Sequence, residues 1–239
     1  MPHASITATL LLAFLLGLRH ALDADHLAAV AAMASGQGGL RRCLGLGISW
    51  GVGHALVLGV VGGGVVALQV PIPPRIGLLF ESLVALTLIA LGVGALRGAL
   101  SGRLHAHRHE HGGVVHAHVH LHVSPHPGPS RHGHPHPIRL AFRPFLVGGV
   151  HGLAGSATLA ILVLTSLPNA LLGCLFLGIL GAGSILGMSL MSLALGVPLA
   201  LAQSRARWLH CALRATTGVG SLGIGLTLIW EIGRARGLV

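Results

Sequence analysis

The chain has 239 residues, of which 53% are hydrophobic and only 8% are charged. Because a soluble domain carries about a quarter charged residues, these values exclude an ordinary soluble protein and indicate an integral membrane protein. The net charge of +10 comes from fifteen arginines that cluster between apolar runs, as cytoplasmic flanks of membrane helices do, so we attribute it to topology and expect no nucleic-acid partner.

The first apolar run extends from about Ala4 to the alanine-rich stretch that ends near Ala34. It lacks the basic start and the cleavage site of a secretory signal, so we expect a mature helix. The run is longer than the roughly 20 residues that cross a bilayer, which allows the helix to tilt, break or re-enter. It contains the octapeptide Arg19-His20-Ala21-Leu22-Asp23-Ala24-Asp25-His26, with two of the chain's five acidic residues.

Five further apolar runs are each long enough to cross a bilayer as a helix. They cover, in chain order, Leu44–Leu68, Ile76–Leu96, Phe145–Leu164, Leu171–Leu201 and Thr216–Ile232. We therefore predict an all-α membrane protein with six transmembrane helices. The loops after the first, third and fifth helices carry eleven arginines, whereas the opposite side carries three. We expect these three loops in the cytoplasm and both termini outside, in the cell inner (plasma) membrane.

The two ends of the chain repeat each other at an offset of 131 residues. Gly17-Leu18-Arg19-His20-Ala21-Leu22 matches Gly148-Gly149-Val150-His151-Gly152-Leu153, and Leu46-Gly47-Ile48 matches Leu177-Gly178-Ile179. Two units of three helices have opposite topologies, which is the inverted repeat of many transporters. We predict two inverted three-helix halves, residues 1–100 and 144–239. The site is expected near the midplane between them, with His20 and His151 at corresponding positions.

The segment between the halves, residues 101–143, is rich in histidine. Twelve histidines lie between His105 and His136, many of them in His-x-His alternation, beside a single acid, Glu110. No core can form from this composition, so we predict a disordered cytoplasmic loop. Neutral imidazole binds nickel, zinc, copper and cobalt. We interpret the loop as a metal buffer or sensor, and a low-complexity spacer without a binding role is the alternative.

The octapeptide is the candidate transport site, because ionisable groups at membrane depth are costly unless paired or solvated and therefore indicate a functional site. On a regular helix with about 100° per residue, His20, Asp23 and His26 share one face. Asp25 then points away and pairs with an arginine, such as Arg19. If the helix breaks here, His20, Asp25 and His26 converge on one ion instead. The residues leave both arrangements open.

Two more histidines, His54 and His151, lie in the predicted helices. Each alone is explained equally well as a buried histidine bonded to the backbone. With His20 and His26 of the octapeptide, they are the four histidines of the predicted helices, and His3 and His210 lie outside these helices. The candidate metal-site residues are His20, Asp23, Asp25, His26, His54 and His151. Nitrogen and carboxylate ligands without cysteine suit Ni²⁺, Co²⁺ or Zn²⁺.

These motifs resemble the nickel/cobalt transporter family, especially its shorter six-span relatives, the urease-accessory-type membrane proteins. The octapeptide fits the family signature R-H-A-x-D-A-D-H, and Ser49-Trp50-Gly51-Val52-Gly53-His54 is similar to the S-x-G-H-type segment with two residues inserted. His151-Gly152-Leu153-Ala154-Gly155-Ser156-Ala157 is similar to the short relatives and departs from the acidic L-G-F-D-T-A-T-E of the longer permeases. The resemblance implies that His20, Asp25 and His26 take part in metal recognition.

We therefore expect a secondary transporter that moves nickel, or cobalt in its place, across the inner membrane through a His/Asp site between two helical repeats. A nucleotide-binding P-loop requires a lysine, and the chain has none, so we expect the membrane potential or an ion gradient to drive transport. We expect no prosthetic group. The protein is not expected to be an enzyme, because the glutamates of the predicted helices, Glu81 and Glu231, are far in sequence from any histidine.

Two other functions remain open at this stage. A nickel or cobalt efflux protein would have the same architecture, with the histidine-rich loop collecting metal for export. A membrane partner that does not transport would instead deliver metal to urease or hydrogenase maturation proteins.

Overall fold

The computed structural model describes residues 3–35, 39–70, 72–100, 104–111, 114–121, 137–167, 169–205 and 207–236. Helices make up nearly all of this part of the chain. They are α1 His3–His20, α2 Ala24–Ala34, α3 Leu40–Val57, α4 Gly63–Leu68, α5 Pro74–Leu100, α6 Pro137–Ser166, α7 Ala170–Arg205 and α8 Arg207–Ala235. A π-helical turn, Leu58–Gly62, joins α3 to α4 without a break.

The length and the apolar composition of several helices agree with those of membrane-spanning helices. Within the described residues, the helices long and apolar enough to cross a bilayer are Leu40–Leu68, Pro74–Leu100, Ala170–Pro198 and Trp208–Ala235, and the bent pair α1 and α2 counts as a fifth if taken as one span. They coincide with predicted spans; the largest difference is the last span's start, at Trp208 and not at Thr216. The fourth predicted span lies within α6. The prediction that the membrane part of the chain is α-helical is confirmed.

The first span is broken between α1 and α2, which meet at a bend of 53°. The Leu22 N–H donates to the carbonyl of Arg19, and the Asp23 N–H donates to the carbonyl of His20, which tightens the last turn of α1. Asp23 then takes an extended conformation at the N-cap position of α2, where its carboxylate makes no capping hydrogen bond to the backbone. Of the two arrangements that the sequence left open, the structure has the broken helix.

Glycines bring helices from the two ends of the chain into backbone contact. A Cβ on Gly17 of α1 would collide with the carbonyl of Leu180 in α7. A Cβ on Gly148, at the matching position of α6, would collide with the carbonyl of Trp50 in α3. Small residues permit such close approach between membrane helices. Two further glycines meet the partner helix in the same way, Gly53 at the carbonyl of Phe145 and Gly183 at the carbonyl of Phe14.

Two other helix pairs pack in an antiparallel manner. The α3–α7 contacts move backwards along α7 as α3 advances: Gly47 lies at Met188 and Ser189, Gly51 at Ile185 and Ala55 at Gly181. The α5–α8 contacts show the same order: Ala85 and Ile89 lie at Gly225, and Gly92 lies at Leu222 and Gly218. The second and third predicted helices of one half therefore run opposite to those of the other half.

The buried apolar side chains form two clusters. The larger one joins α2, α3, α5 and α7 and includes Val30, Trp50, Leu88 and Met188. The smaller one surrounds Leu58 of the π-helical turn and joins it to α1 and α7. Because Trp50 belongs to the larger cluster, this cluster lies directly beside the predicted site residue His54, four residues further along α3.

The histidine-rich segment contains a short hairpin of two antiparallel strands, β1 Leu104–His111 and β2 Val114–Leu121. The register places three histidine pairs opposite each other: His105 and His120, His107 and His118, and His109 and His116. The prediction of a segment without regular structure is therefore not met over these residues. His-x-His alternation has the two-residue period of a strand. Amino-acid composition contains no information about this period. Residues 122–136 of the predicted loop lie outside the described residues, and residues 137–143 belong to α6, which therefore begins within the predicted loop.

Candidate metal site

Three histidines from three helices converge on one point. The ring centroid of His20 lies 4.7 Å from that of His26 and 5.1 Å from that of His54, and the centroids of His26 and His54 are 5.2 Å apart. One ligand atom from each residue lies within 4.8 Å of the other two. Metal–nitrogen bonds of about 2.0–2.1 Å hold two ligand nitrogens up to about 4 Å apart. A small movement of the rings would therefore allow all three to bind one ion.

The break between α1 and α2 makes this convergence possible. On a continuous helix, two residues six positions apart are separated by about 9 Å along the axis. His20 and His26 are six positions apart, yet their ring centroids are only 4.7 Å from each other. The bend at residues 21–23 removes the axial separation. The local chain geometry therefore creates the site.

The two aspartates of the octapeptide lie beside the histidines. Oδ2 of Asp23 is 2.8 Å from Nδ1 of His20, and Oδ1 of Asp25 is 3.0 Å from Nδ1 of His26. Within the described residues, the group of mutually close ligand atoms consists of the three histidines and contains neither aspartate. In the regular-helix arrangement Asp25 would pair with an arginine, whereas here it contacts its neighbour in the chain.

His151, from α6, lies at the edge of the three-histidine group. Its ring centroid is 5.3 Å from that of His26, and its Nδ1 donates to the carbonyl of Val147 at 2.9 Å. The side chain is buried, with 1% exposure. The sequence repeat predicted that His151 and His20 face a common site, and the structure brings His151 against His26 while leaving it outside the closest group.

Five buried ring nitrogens near this point have no hydrogen-bond partner within the described part of the chain: Nε2 of His20, His26 and His151, and both nitrogens of His54. A buried polar atom without a partner costs about 1–3 kcal/mol, so such atoms are few in native proteins. Several of them around one point indicate a ligand site. Their chemistry, a set of neutral nitrogen donors, fits a borderline divalent transition metal.

Two residues complete the surroundings of the site and were not among the predicted site residues. The Trp50 ring stacks on His26 at an interplanar angle of 28°, and its centroid is 5.2 Å from that of His151. A Cβ on Gly155 of α6 would lie 3.4 Å from Nε2 of His20, so this glycine leaves room beside the ring nitrogens. Both residues lie in segments that the family resemblance identified, but no pattern distinguishes them from their neighbours.

Comparisons with known proteins agree with this chemistry. The sequence profile of the NicO family, described as high-affinity nickel-transport protein, matches residues 6–225. The chain is also 29% identical over 238 residues to the urease accessory protein UreH of Bacillus sp. (strain TB-90). The alignment covers 100% of this chain and 97% of that protein. No solved structure matches the chain.

The profile match includes the octapeptide, Trp50, His54 and His151, so the resemblance inferred from these motifs is confirmed. NicO is a family of transporters, not of enzymes, which agrees with the prediction that the chain is not an enzyme. The chain therefore belongs to the NicO family of high-affinity nickel-transport proteins.

Proposed function

We propose that the protein is a secondary transporter that carries Ni²⁺ across the cell inner membrane through the histidine site. The observation that carries the proposal is the convergence of His20, His26 and His54, with buried ring nitrogens that have no partner. Imidazole nitrogens suit Ni²⁺ and Co²⁺ alike, and the family match favours nickel as the cargo. Co²⁺ is the proposed second cargo.

The six residues predicted from the sequence remain the proposed site, with different roles. His20, His26 and His54 are the proposed ligands because their ligand atoms lie closest together. His151 is proposed as a further ligand that joins when the site closes, since its free Nε2 is buried beside His26. Asp23 and Asp25 contact the ligand histidines on their other ring nitrogen.

We propose that six membrane helices form two inverted three-helix halves, residues 1–100 and 144–239. The antiparallel packing of α3 with α7 and of α5 with α8 supports opposite topologies of the halves. The matching contacts of Gly17 with α7 and of Gly148 with α3 support an internal twofold relation. In such folds the site lies between the repeats, and rocking of one repeat against the other alternates access to it.

The proposed orientation has the 101–143 segment in the cytoplasm and both termini outside. It is supported by the eleven arginines of the loops assigned to the cytoplasm, against three on the other side. We propose inward transport, because a divalent cation that enters a cell gains about 4.6 kcal/mol per 100 mV of inside-negative potential.

The histidine-rich hairpin is the proposed cytoplasmic metal buffer. Directly opposed positions of an antiparallel ladder are neighbours, so opposed histidines are candidates to share an ion. The register contains three such histidine pairs. With the proposed orientation, the hairpin meets nickel on the side to which the transporter releases it.

A second candidate function is supported by the relative named a urease accessory protein. In this alternative the protein holds nickel in the membrane and passes it to urease or hydrogenase maturation proteins without transporting it. An efflux protein of the same fold is the third candidate, since the site chemistry is the same for both directions.

The three candidates are separated by nickel flux. Purified protein in liposomes with an inside-negative potential is expected to accumulate nickel, and His26→Ala and His54→Ala are expected to abolish the flux. His210→Ala is a matched control, because His210 is also buried but lies in α8 outside the group. Cells that overproduce the protein gain nickel under import and lose it under export. Folded protein that moves no divalent ion would reject transport in favour of metal delivery.

A further inference from the structure

We propose that Asp23 and Asp25 are positioning residues: they orient two ligand histidines and do not bind the cargo ion, which imidazole nitrogens alone hold. This inference rests on the proposed nickel site. It assigns the two carboxylates of the octapeptide a role different from that of ligands. It also predicts a preference for ions that favour nitrogen over ions that favour oxygen.

The hydrogen bonds of the two aspartates determine which ring nitrogen each histidine offers. An ionised carboxylate can only accept a hydrogen bond, so Nδ1 of His20 donates to Asp23, and Nδ1 of His26 donates to Asp25. The proton on Nδ1 leaves the lone pair on Nε2. Both Nε2 atoms are buried without a partner. The two carboxylates thus lie behind the rings, and the two free nitrogens face the site.

His151 shows the same arrangement with an acceptor that comes from the backbone. Its Nδ1 donates to the carbonyl of Val147, four residues earlier in α6, and its Nε2 is buried without a partner. Three of the four histidines therefore have Nδ1 occupied and Nε2 free. A carboxylate or carbonyl that holds the outer nitrogen of a ligand histidine fixes the tautomer and the ring orientation, and raises the basicity of the ligand nitrogen.

The two aspartates differ in burial, which predicts different contributions. The side chain of Asp25 is 27% exposed and that of its partner His26 only 2%, whereas Asp23 is 52% exposed and His20 is 18% exposed. Water competes less for the more buried hydrogen bond. We therefore expect Asp25 to contribute more than Asp23 to the affinity for the ion.

A site of nitrogen donors also explains how the protein would reject the abundant divalent ions. Mg²⁺ and Ca²⁺ take oxygen ligands, and Mg²⁺ gives up its water reluctantly. With both carboxylates directed at histidines, the described residues offer these ions no carboxylate oxygen within the group of close ligand atoms. Ni²⁺ and Cu²⁺ bind well to imidazole.

The test compares conservative and complete removal of each carboxylate. Asparagine keeps an acceptor oxygen for the histidine Nδ1, whereas alanine removes it. We expect Asp25→Ala to weaken nickel binding by about 10- to 100-fold, the usual effect of losing such a partner, and Asp25→Asn to restore most of the affinity. Asp23→Ala and Asp23→Asn are expected to show the same order with smaller changes. Glu81→Gln, which changes an exposed acid of α5, is the matched control.

Pulsed electron paramagnetic resonance with Cu²⁺ as the probe separates positioning from ligation. It detects the remote nitrogen of each bound imidazole, and the quadrupole coupling of that nitrogen changes with the hydrogen bond it donates. The full-length chain is used with serine in place of His3 and of the twelve histidines between His105 and His136, so that these histidines do not compete with the site for the probe. Asp25→Ala is expected to keep the number of bound imidazoles and to shift the coupling of one of them.

Each outcome decides a separate question. An unchanged coupling in Asp25→Ala, together with an affinity in Asp25→Asn as low as that of Asp25→Ala, would identify Asp25 as a direct ligand and overturn the inference. If the wild-type chain binds no metal at this site, the proposed function itself fails. If it binds metal, His26→Ala removes one imidazole signal, and Asp25→Ala keeps all imidazole signals but shifts the coupling of one of them, both proposals stand.

Discussion

The rings of His20 and His26 lie with their centroids 4.7 Å apart, although α1 ends at the first and the second belongs to α2. This distance depends on the turn of residues 21–23 and on the direction in which α2 leaves it. The site is therefore sensitive to the length of the turn, and not only to the identity of the ligands.

Insertion of one alanine after Leu22 tests this dependence. One added residue lengthens this turn and changes the position of the start of α2, by up to about 3.5 Å for an extended residue. This takes His26 away from His20 while all proposed ligands remain in the chain. We expect the loss of nickel flux into liposomes. An alanine inserted after Gln69, an exposed residue that follows α4, is the control and is expected to keep the flux. Normal flux with the first insertion would contradict the proposed geometry.

Gly155→Ala tests the space beside the ring nitrogens. The added methyl group would lie 3.4 Å from Nε2 of His20, within the room that an ion needs. We expect nickel affinity to fall by about tenfold or more, the effect of about 1.4 kcal/mol. Thermal stability is expected to hold or rise, because alanine is more favourable than glycine within a helix by about 0.5–1 kcal/mol.

Gly178→Ala provides the matched control for this change, since a Cβ there meets open space on α7. Both variants are measured by nickel titration and by thermal unfolding in detergent. If both retain wild-type affinity, Gly155 does not border the ion, and the site lies elsewhere.

Gly17→Ala and Gly148→Ala test the relation between the two halves. Each added methyl group would collide with a backbone carbonyl of the opposite half, at Leu180 and at Trp50 respectively. Overpacking of this kind typically costs about 1–3 kcal/mol. We expect similar losses in the free energy of unfolding for both variants, measured by denaturation in mixed micelles.

Gly45→Ala, with open space around its Cβ, is the control for the glycine pair. A large loss for one variant of the pair and none for the other would argue against the internal twofold relation.

Replacement of the twelve histidines of the histidine-rich segment by serine tests whether this segment is a metal buffer. Because the proposed transport ligands all belong to helices, nickel flux into liposomes is expected to persist. The number of nickel ions bound per chain is expected to fall, since the three opposed histidine pairs are lost. Equilibrium dialysis measures the bound ions. If this variant loses nickel flux although His20, His26 and His54 are intact, the transport site lies in the histidine-rich segment.

The amino-acid sequence alone determined the membrane class, the positions of the long helices and the family. These properties depend on local features: apolar runs of bilayer length and the spacing of histidines and acids within the octapeptide. The histidines that meet in the structure were all among the residues chosen from the sequence. Helix periodicity, however, favoured Asp23 over Asp25, whereas the family resemblance favoured Asp25. Periodicity assumes a regular helix through residues 20–26, which the structure does not have.

The tertiary structure decided which of these groups contact each other. The bend between α1 and α2 places both aspartates on the outer nitrogens of His20 and His26. Gly155 and Trp50 reach the site from segments far from the octapeptide, through helix contacts that no local pattern contains. In the histidine-rich segment, by contrast, a local pattern fits the structure: composition predicted disorder, but the two-residue period of the histidines fits the paired strands. The sequence specifies which histidines and acids are present and how far apart they are along the chain. Only the break between α1 and α2 and the packing of the helices bring the histidine nitrogen atoms to one point.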